Sequence, residues 1–156
     1  KHYGIVDKYL GDGFLALFGA PVSSTQDADN AITAAFEMKN SLAAVNRYLE
    51  KKFGTTVQMG ISIHTGEVVV GNIGFEKKMD YTVIGDPVNT VFRLQHLTKS
   101  FPNGILISEN TLRAARSRPD VGEIRISSDL SQELGSMKVY ELLDANPEKT
   151  YALSIN

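Results

Sequence analysis

No cysteine occurs among the 156 residues, which excludes disulfides and thiolate metal sites and is compatible with the reducing cytoplasm. No apolar run approaches the roughly 20 residues that a membrane-spanning helix needs, and the N-terminus carries no signal-peptide pattern. Strong charge is missing too. The 16 Lys and Arg against 18 Asp and Glu leave a formal net charge of −2, which gives no electrostatic reason to expect nucleic acid or an acidic membrane as partner. Arg113, Arg116 and Arg118 cluster locally, but such a run reads as a solvated helix end. There is no internal repeat, low-complexity stretch or linker. What is present is 42% apolar and 22% charged residues, the balance of one soluble globular domain long enough to build a substantial core.

Strand and helix patterns intermix along the chain. Ile5 to Leu10 is a strand-like run and Phe14 to Phe18 a buried-strand run, with Gly11-Asp12-Gly13 as the turn between them, which predicts a β-hairpin. Ala28, Ile32, Ala35, Met38, Leu42, Val45 and Leu49 recur at helical spacing, predicting one long amphipathic helix from about Gln26 to Lys52. Ser24 or Thr25 is expected to cap it and Gly54 to end it. Val57 to His64 alternates as a strand does, and Val68 to Val70 is a second run, closed by Gly71 and Gly74. Tyr81 to Ile84 predicts a further short strand. Asp86 reads as an N-cap with Pro87 at the first helical position. Short strands are expected at Ile105 to Ile107, Ile124 to Ile126 and Met137 to Leu143, with a Ser108-capped helix to about Arg116. This mixture predicts an α+β sandwich, a sheet backed by helices, rather than a purely parallel sheet.

Several polar residues could carry chemistry, and each has an ordinary alternative. Asp12 in its glycine-flanked turn suits turn geometry, yet a carboxylate fixed at a strand end could also bind Mg²⁺ or Mn²⁺. Lys8 fits a solvated strand edge, or an ammonium donor to a purine ring nitrogen. Thr82 is a common strand former whose hydroxyl could read an exocyclic amine or carbonyl. Asn89 and Arg93 lie four apart and project from one helix face, where Arg suits phosphate oxygens and Asn can orient a ribose. Gly66, Gly71 and Gly74 fit neither a P-loop nor a dinucleotide fingerprint, and His2, His64 and His96 show no metal-ligand spacing.

Taken in order, these segments resemble the catalytic domain of class III adenylate and guanylate cyclases, the bacterial adenylate cyclase type. Asp7-Lys8-Tyr9-Leu10-Gly11-Asp12 with Leu15-Ala16-Leu17-Phe18-Gly19 is similar to the family's metal-binding hairpin. The run Gly66 to Gly74 is similar to its central strand segment, Tyr81 through Arg93 to its substrate strand and transition-state helix, and Val139-Tyr140-Glu141-Leu142 to its last strand. The resemblance implies a ferredoxin-like sandwich with a mostly antiparallel central sheet, and conversion of ATP to 3′,5′-cyclic AMP and pyrophosphate for intracellular signalling. It implies two ions, Mg²⁺ or Mn²⁺, with Asp12 as one metal ligand and backbone groups of Leu10 and Gly11 approaching the metal site. Lys8 and Thr82 would select adenine, Asn89 would orient the ribose, and Arg93 would stabilise charge on the phosphate. It also implies a homodimer, in which Asp12 of one chain works with Lys8, Thr82, Asn89 and Arg93 of the other.

Two departures from the family pattern follow. The family's other metal aspartate lies in a strand upstream of the hairpin, so residues 1–145 read as a catalytic domain lacking its first strand and helices, with 146–156 a tail. Upstream sensor or regulatory domains, and a cytoplasmic location either free or beneath a membrane anchor, belong to the same expectation. Before the last strand, where many members have a triphosphate-binding lysine, stand Ser131, Gln132 and Glu133, with no lysine until Lys138. The chain alone is therefore expected to be poorly active. The alternatives are a degenerate, non-catalytic regulatory or dimerisation module, and a guanylate cyclase, which usually carries an acidic residue where Lys8 stands.

Overall fold

The computed structural model describes residues 2–75, 78–101, 104–124 and 134–143. Strands β1 (Gly4–Leu10) and β2 (Gly13–Phe18) form an antiparallel hairpin. Helix α1 (Asp27–Phe53) leads to strand β3 (Ile61–Ile63), and β4 (Val69–Phe75) and β5 (Lys78–Ile84) make a second hairpin. Helix α2 (Asp86–Leu97) follows, then β6 (Ile105–Ser108), α3 (Glu109–Ala114), β7 (Val121–Ile124) and β8 (Val139–Leu142).

The core is built on β6. In the four-stranded sheet of order β3-β6-β8-β7, β6 runs parallel to β3 and antiparallel to β8, which pairs antiparallel with β7. Side chains alternate across a strand, so Ile105 and Ile107 pack with Ala28, Ile32 and Ala35 of α1, while Leu106 packs with Leu94 and Leu97 of α2. Both faces of β6 are thus covered by helices, which explains a continuous apolar run in place of alternation.

The expected α+β class holds, with its mostly antiparallel pairing. In place of one central sheet, the described residues form three separate sheets, β1-β2, β3-β6-β8-β7 and β4-β5. The strand expected over Val57 to His64 shortens to Ile61–Ile63. Side chains take the backbone groups ahead of it. The Asn46 amide bonds both Val57 N (2.9 Å) and Val57 O (2.8 Å), Gln95 Nε2 donates to Gly60 O (3.0 Å), and Lys39 Nζ donates to Met59 O. Gly71 and Gly74 do not close a strand as expected, because β4 runs through both, opposite Thr82 and Met79.

At the helix ends, Gly54 terminates α1 in the left-handed conformation as expected. The N-cap position is Gln26, without a side-chain cap, although Ser24 Oγ accepts from Gln26 N at 3.2 Å and Ser24 N donates to Asp27 Oδ2 at 2.6 Å. Asp86 is the first residue of α2 and Gly85 its N-cap, one residue from the expected arrangement. Ser108 caps α3 as expected, accepting from Thr111 N. Of the predicted strand Ile124 to Ile126, only Ile124 is described, as the last residue of β7; Arg125, Ile126, Ser131, Gln132, Glu133 and the tail lie outside the described residues.

Candidate active site

The β1-β2 turn is set by two residues. Leu10 pairs with Gly13, leaving Gly11 and Asp12 as the turn, and Gly11 has φ +64°, the left-handed value that favours glycine. The turn holds Leu10, Gly11 and Asp12 exposed at the hairpin tip.

Farther along the hairpin, β1 meets β5. Lys8 Nζ donates to Thr82 Oγ1 at 2.6 Å, joining residues 74 positions apart. Asp7 Oδ2 lies 3.2 Å from Lys8 Nζ and accepts from Thr82 Oγ1 at 3.4 Å. The Asp7 side chain is only 1% exposed, against 43% for Lys8. Its other oxygen, Oδ1, is buried with no hydrogen-bond partner among the described residues. Sequence reasoning gave Asp7 no role. The available signal was an acidic residue inside an otherwise strand-forming run, where aspartate is disfavoured.

Helix α2 presents the second group. Leu94 and Leu97 face the core, and Ser62 Oγ, 2.9 Å from Val91 O and 3.1 Å from Gln95 Oε1, ties the helix to β3. The exposed flank beside this core face carries Asn89 and Arg93, four residues apart. Entry into the helix depends on Gly85 at φ +155°, where a Cβ would sit 3.3 Å from Glu67 O and from Val68 Cγ1.

A groove of about 2280 Å³ separates β2, α1, β3 and the segment leading to β4. That is more than twice the upper end of ordinary ligand pockets, about 1000 Å³, so its size fits a packing surface better than a small-molecule site. Leu10 and Asp12 line it, whereas Lys8, Thr82, Asn89 and Arg93 do not. The structure therefore brings Lys8 and Thr82 together, keeps Asn89 and Arg93 on one helix face, and places Asp12 at the β1-β2 tip. Asp12 offers the oxygen chemistry that Mg²⁺ or Mn²⁺ takes, but no group of three or more His, Cys, Asp or Glu able to hold a metal occurs among the described residues. By themselves these residues do not make a metal site.

A polar cluster that the sequence did not reveal joins β3 to α3. His64 Nδ1 lies 2.8 Å from Ser108 Oγ, Ser108 Oγ lies 3.2 Å from Thr111 Oγ1, and Thr65 Oγ1 donates to Thr111 Oγ1 at 3.1 Å. Burial lowers the His64 pKa below its ordinary 6.5, which favours the neutral ring as a partner for Ser108. Lys138, the lysine nearest the last strand, is exposed and paired with Glu123 at 3.3 Å, which raises its pKa. No helix among the described residues is long and apolar enough to cross a membrane.

Residues 4–153 match the family model for the adenylate and guanylate cyclase catalytic domain. An uncharacterized Mycobacterium tuberculosis protein is 41% identical over 115 residues, 74% of this chain and 20% of that protein. An adenylate cyclase of Anabaena cylindrica is 40% identical over 114 residues, 70% of this chain and 22% of that enzyme. The chain thus spans about a fifth of the length of these curated relatives. Among solved structures, the guanylyl cyclase Cya2 is similar at TM-score 0.76 and 36% identity, over 96% of this chain and 74% of that one. The adenylyl cyclase CyaB from P. aeruginosa is similar at TM-score 0.77 and 27% identity, over 94% and 74%. With the hairpin, the Lys8–Thr82 contact and the α2 face in place, the chain belongs to the class III adenylate and guanylate cyclase catalytic domain family.

Proposed function

We propose that this domain is the catalytic domain of an adenylate cyclase, converting ATP to 3′,5′-cyclic AMP and pyrophosphate. The observation that carries this reading is the 2.6 Å contact between Lys8 Nζ and Thr82 Oγ1, which sets a donor beside a hydroxyl at a partly exposed position. Adenine offers a ring-nitrogen acceptor next to an amino donor, and such a pair can read both. In the proposed reaction the ribose 3′-hydroxyl loses its proton to solvent, its oxygen bonds to the α-phosphorus, and the bond from that phosphorus to pyrophosphate breaks. Asn89 orients the ribose, and the Arg93 guanidinium balances charge on the phosphate. A divalent ion, Mg²⁺ or Mn²⁺, belongs to the proposal with Asp12 as one ligand, the others coming from outside the described residues.

The same proposal makes the working unit a homodimer. In it, Asp12 of one chain works with Lys8, Thr82, Asn89 and Arg93 of the other. The hairpins also expose Tyr9 at 78%, Val69 at 70% and Phe75 at 89%, apolar surface that a second copy can cover. Sensor or regulatory sequence beyond this domain is part of the reading, supported by the greater length of the relatives, and the reading includes a cytoplasmic location. A guanylate cyclase is the second reading, favoured by the similarity to Cya2 at 36% identity.

Incubating the full-length protein with ATP or GTP in Mn²⁺ tests the proposal. Cyclic AMP is the expected main product, and Asp12→Ala is expected to abolish it. A folded, dimeric protein that forms only cyclic GMP, or neither product, overturns it.

A further inference from the structure

We propose that Asp7 is a positioning residue that sets the base preference of the site by fixing the direction of the Thr82 hydroxyl. The inference rests on the adenylate reading above and adds a residue to it. Consecutive side chains of a regular strand point to opposite faces, so Asp7 and Lys8 should not meet the same partner. Here they do. Val6 pairs with Ala16 and Lys8 with Leu15, which leaves Asp7 as the extra residue of a β-bulge. A bulge re-aims side chains, and this one lets both Asp7 Oδ2 and Lys8 Nζ reach Thr82 Oγ1, at 3.4 and 2.6 Å.

The consequence follows from counting protons. A threonine hydroxyl has one proton and two lone pairs, an ammonium only donates, and a carboxylate only accepts. With one lone pair on Lys8 and its proton on Asp7, Thr82 keeps one lone pair for a ligand and can act there only as an acceptor. Lys8 keeps ammonium protons and can act only as a donor. Donor beside acceptor complements the ring nitrogen and amino group of adenine. Guanine presents a ring N–H and a carbonyl, the reverse pattern, and leaves both protein groups mismatched. Without Asp7 the Thr82 proton is free to turn towards a guanine carbonyl, and the discrimination falls. Near-complete burial of the carboxylate keeps water from competing for the Thr82 proton. Among the described residues Oδ1 has no partner, a cost that the Oδ2 contacts to Thr82 and Lys8 must offset.

The test compares the full-length protein with Asp7→Asn and Asp7→Ala, measuring kcat and KM for ATP and for GTP. Competitive binding of the two nucleotides is measured alongside, so that the readout does not depend on turnover. Asp7→Ala is expected to lower the ATP-to-GTP ratio of kcat/KM by about tenfold or more, mainly through KM, with the same shift in the ratio of dissociation constants. Asp7→Asn keeps an acceptor oxygen in the same shape and is expected to lie between the two. A purely structural role would lower kcat/KM for both nucleotides together and leave their ratio alone, so an unchanged ratio in an ATP-preferring protein overturns the role of Asp7 while the adenylate reading stands. A wild-type protein that prefers GTP overturns the adenylate reading and this inference with it.

Discussion

The four-stranded sheet and the two hairpins are made of similar residues and are used in opposite ways. Ile105, Leu106, Ile107, Val139 and Leu142 are at most 2% exposed, held between α1 and α2. On the hairpins, Tyr9, Val69, Phe75 and Met79 are each more than half exposed, and Tyr9 meets Phe14 edge-on at 6.3 Å at the surface. Helix α1 shows the same division along its length, because Ala28, Ile32 and Ala35 are buried while Val45 on the same apolar stripe is 48% exposed. Fold stability in this chain comes from one region, and the candidate chemistry sits on the other or on the outer face of α2. The exposed apolar side chains of the hairpins suit the proposed completion of the site by another chain.

The sharpest way to break this contrast is to truncate one residue in each region. Leu106→Ala should cost about 2–5 kcal/mol in denaturant unfolding, because it empties a fully buried position between sheet and α2. Tyr9→Ala should change stability by less than about 1 kcal/mol, since it loses little more than one exposed cross-strand ring contact. A similar cost for both would remove the distinction. Next in size, if Arg93 balances phosphate charge as proposed, Arg93→Ala should lower kcat of the full-length protein by about 10²–10³ with a melting temperature close to wild type, separating chemistry from stability.

Ser108→Ala sharpens the account of the core's polar edge. It removes the α3 cap and the partner of His64, with an expected loss of about 1–2 kcal/mol in unfolding free energy. The smallest effect is a pH dependence. The folded His64 pKa lies below 6.5, so the unfolded chain takes up a proton more readily than the folded one. The stabilisation is complete above 6.5 and is lost as pH falls through the folded value. Unfolding curves collected from pH 7.5 down to about 5 should show this loss, and His64→Gln should flatten it.

Much of the stable region was legible because local pattern and final environment agree there. The run at Ile105 to Ile107, the front of the α1 stripe and the Ser108 cap all follow from hydrophobic spacing and capping chemistry. Errors came where another segment decided the outcome. Val57 to Gly60 alternates like a strand, but Asn46, Lys39 and Gln95 take its backbone groups. Gly71 and Gly74 look like strand breakers until β5 pairs with them. The candidate site was legible mainly through family resemblance, since no local rule joins Lys8 to Thr82 across 74 positions. Asp7 was missed because its contact depends on a bulge, and a bulge is a property of strand register that spacing along one strand does not reveal.

Mixing two impaired variants is the most direct test of the claim that the site is divided between chains. Full-length Asp12→Ala and Arg93→Ala proteins, each with at most about 1% of wild-type activity alone, should regain cyclic AMP formation when combined and allowed to exchange subunits. The expected level is roughly a quarter of wild type, because about half the dimers are mixed and each mixed dimer has one intact site of two. No recovery, with both variants folded and exchanging, would contradict the shared-site account and place Asp12 and Arg93 in the same half of the enzyme.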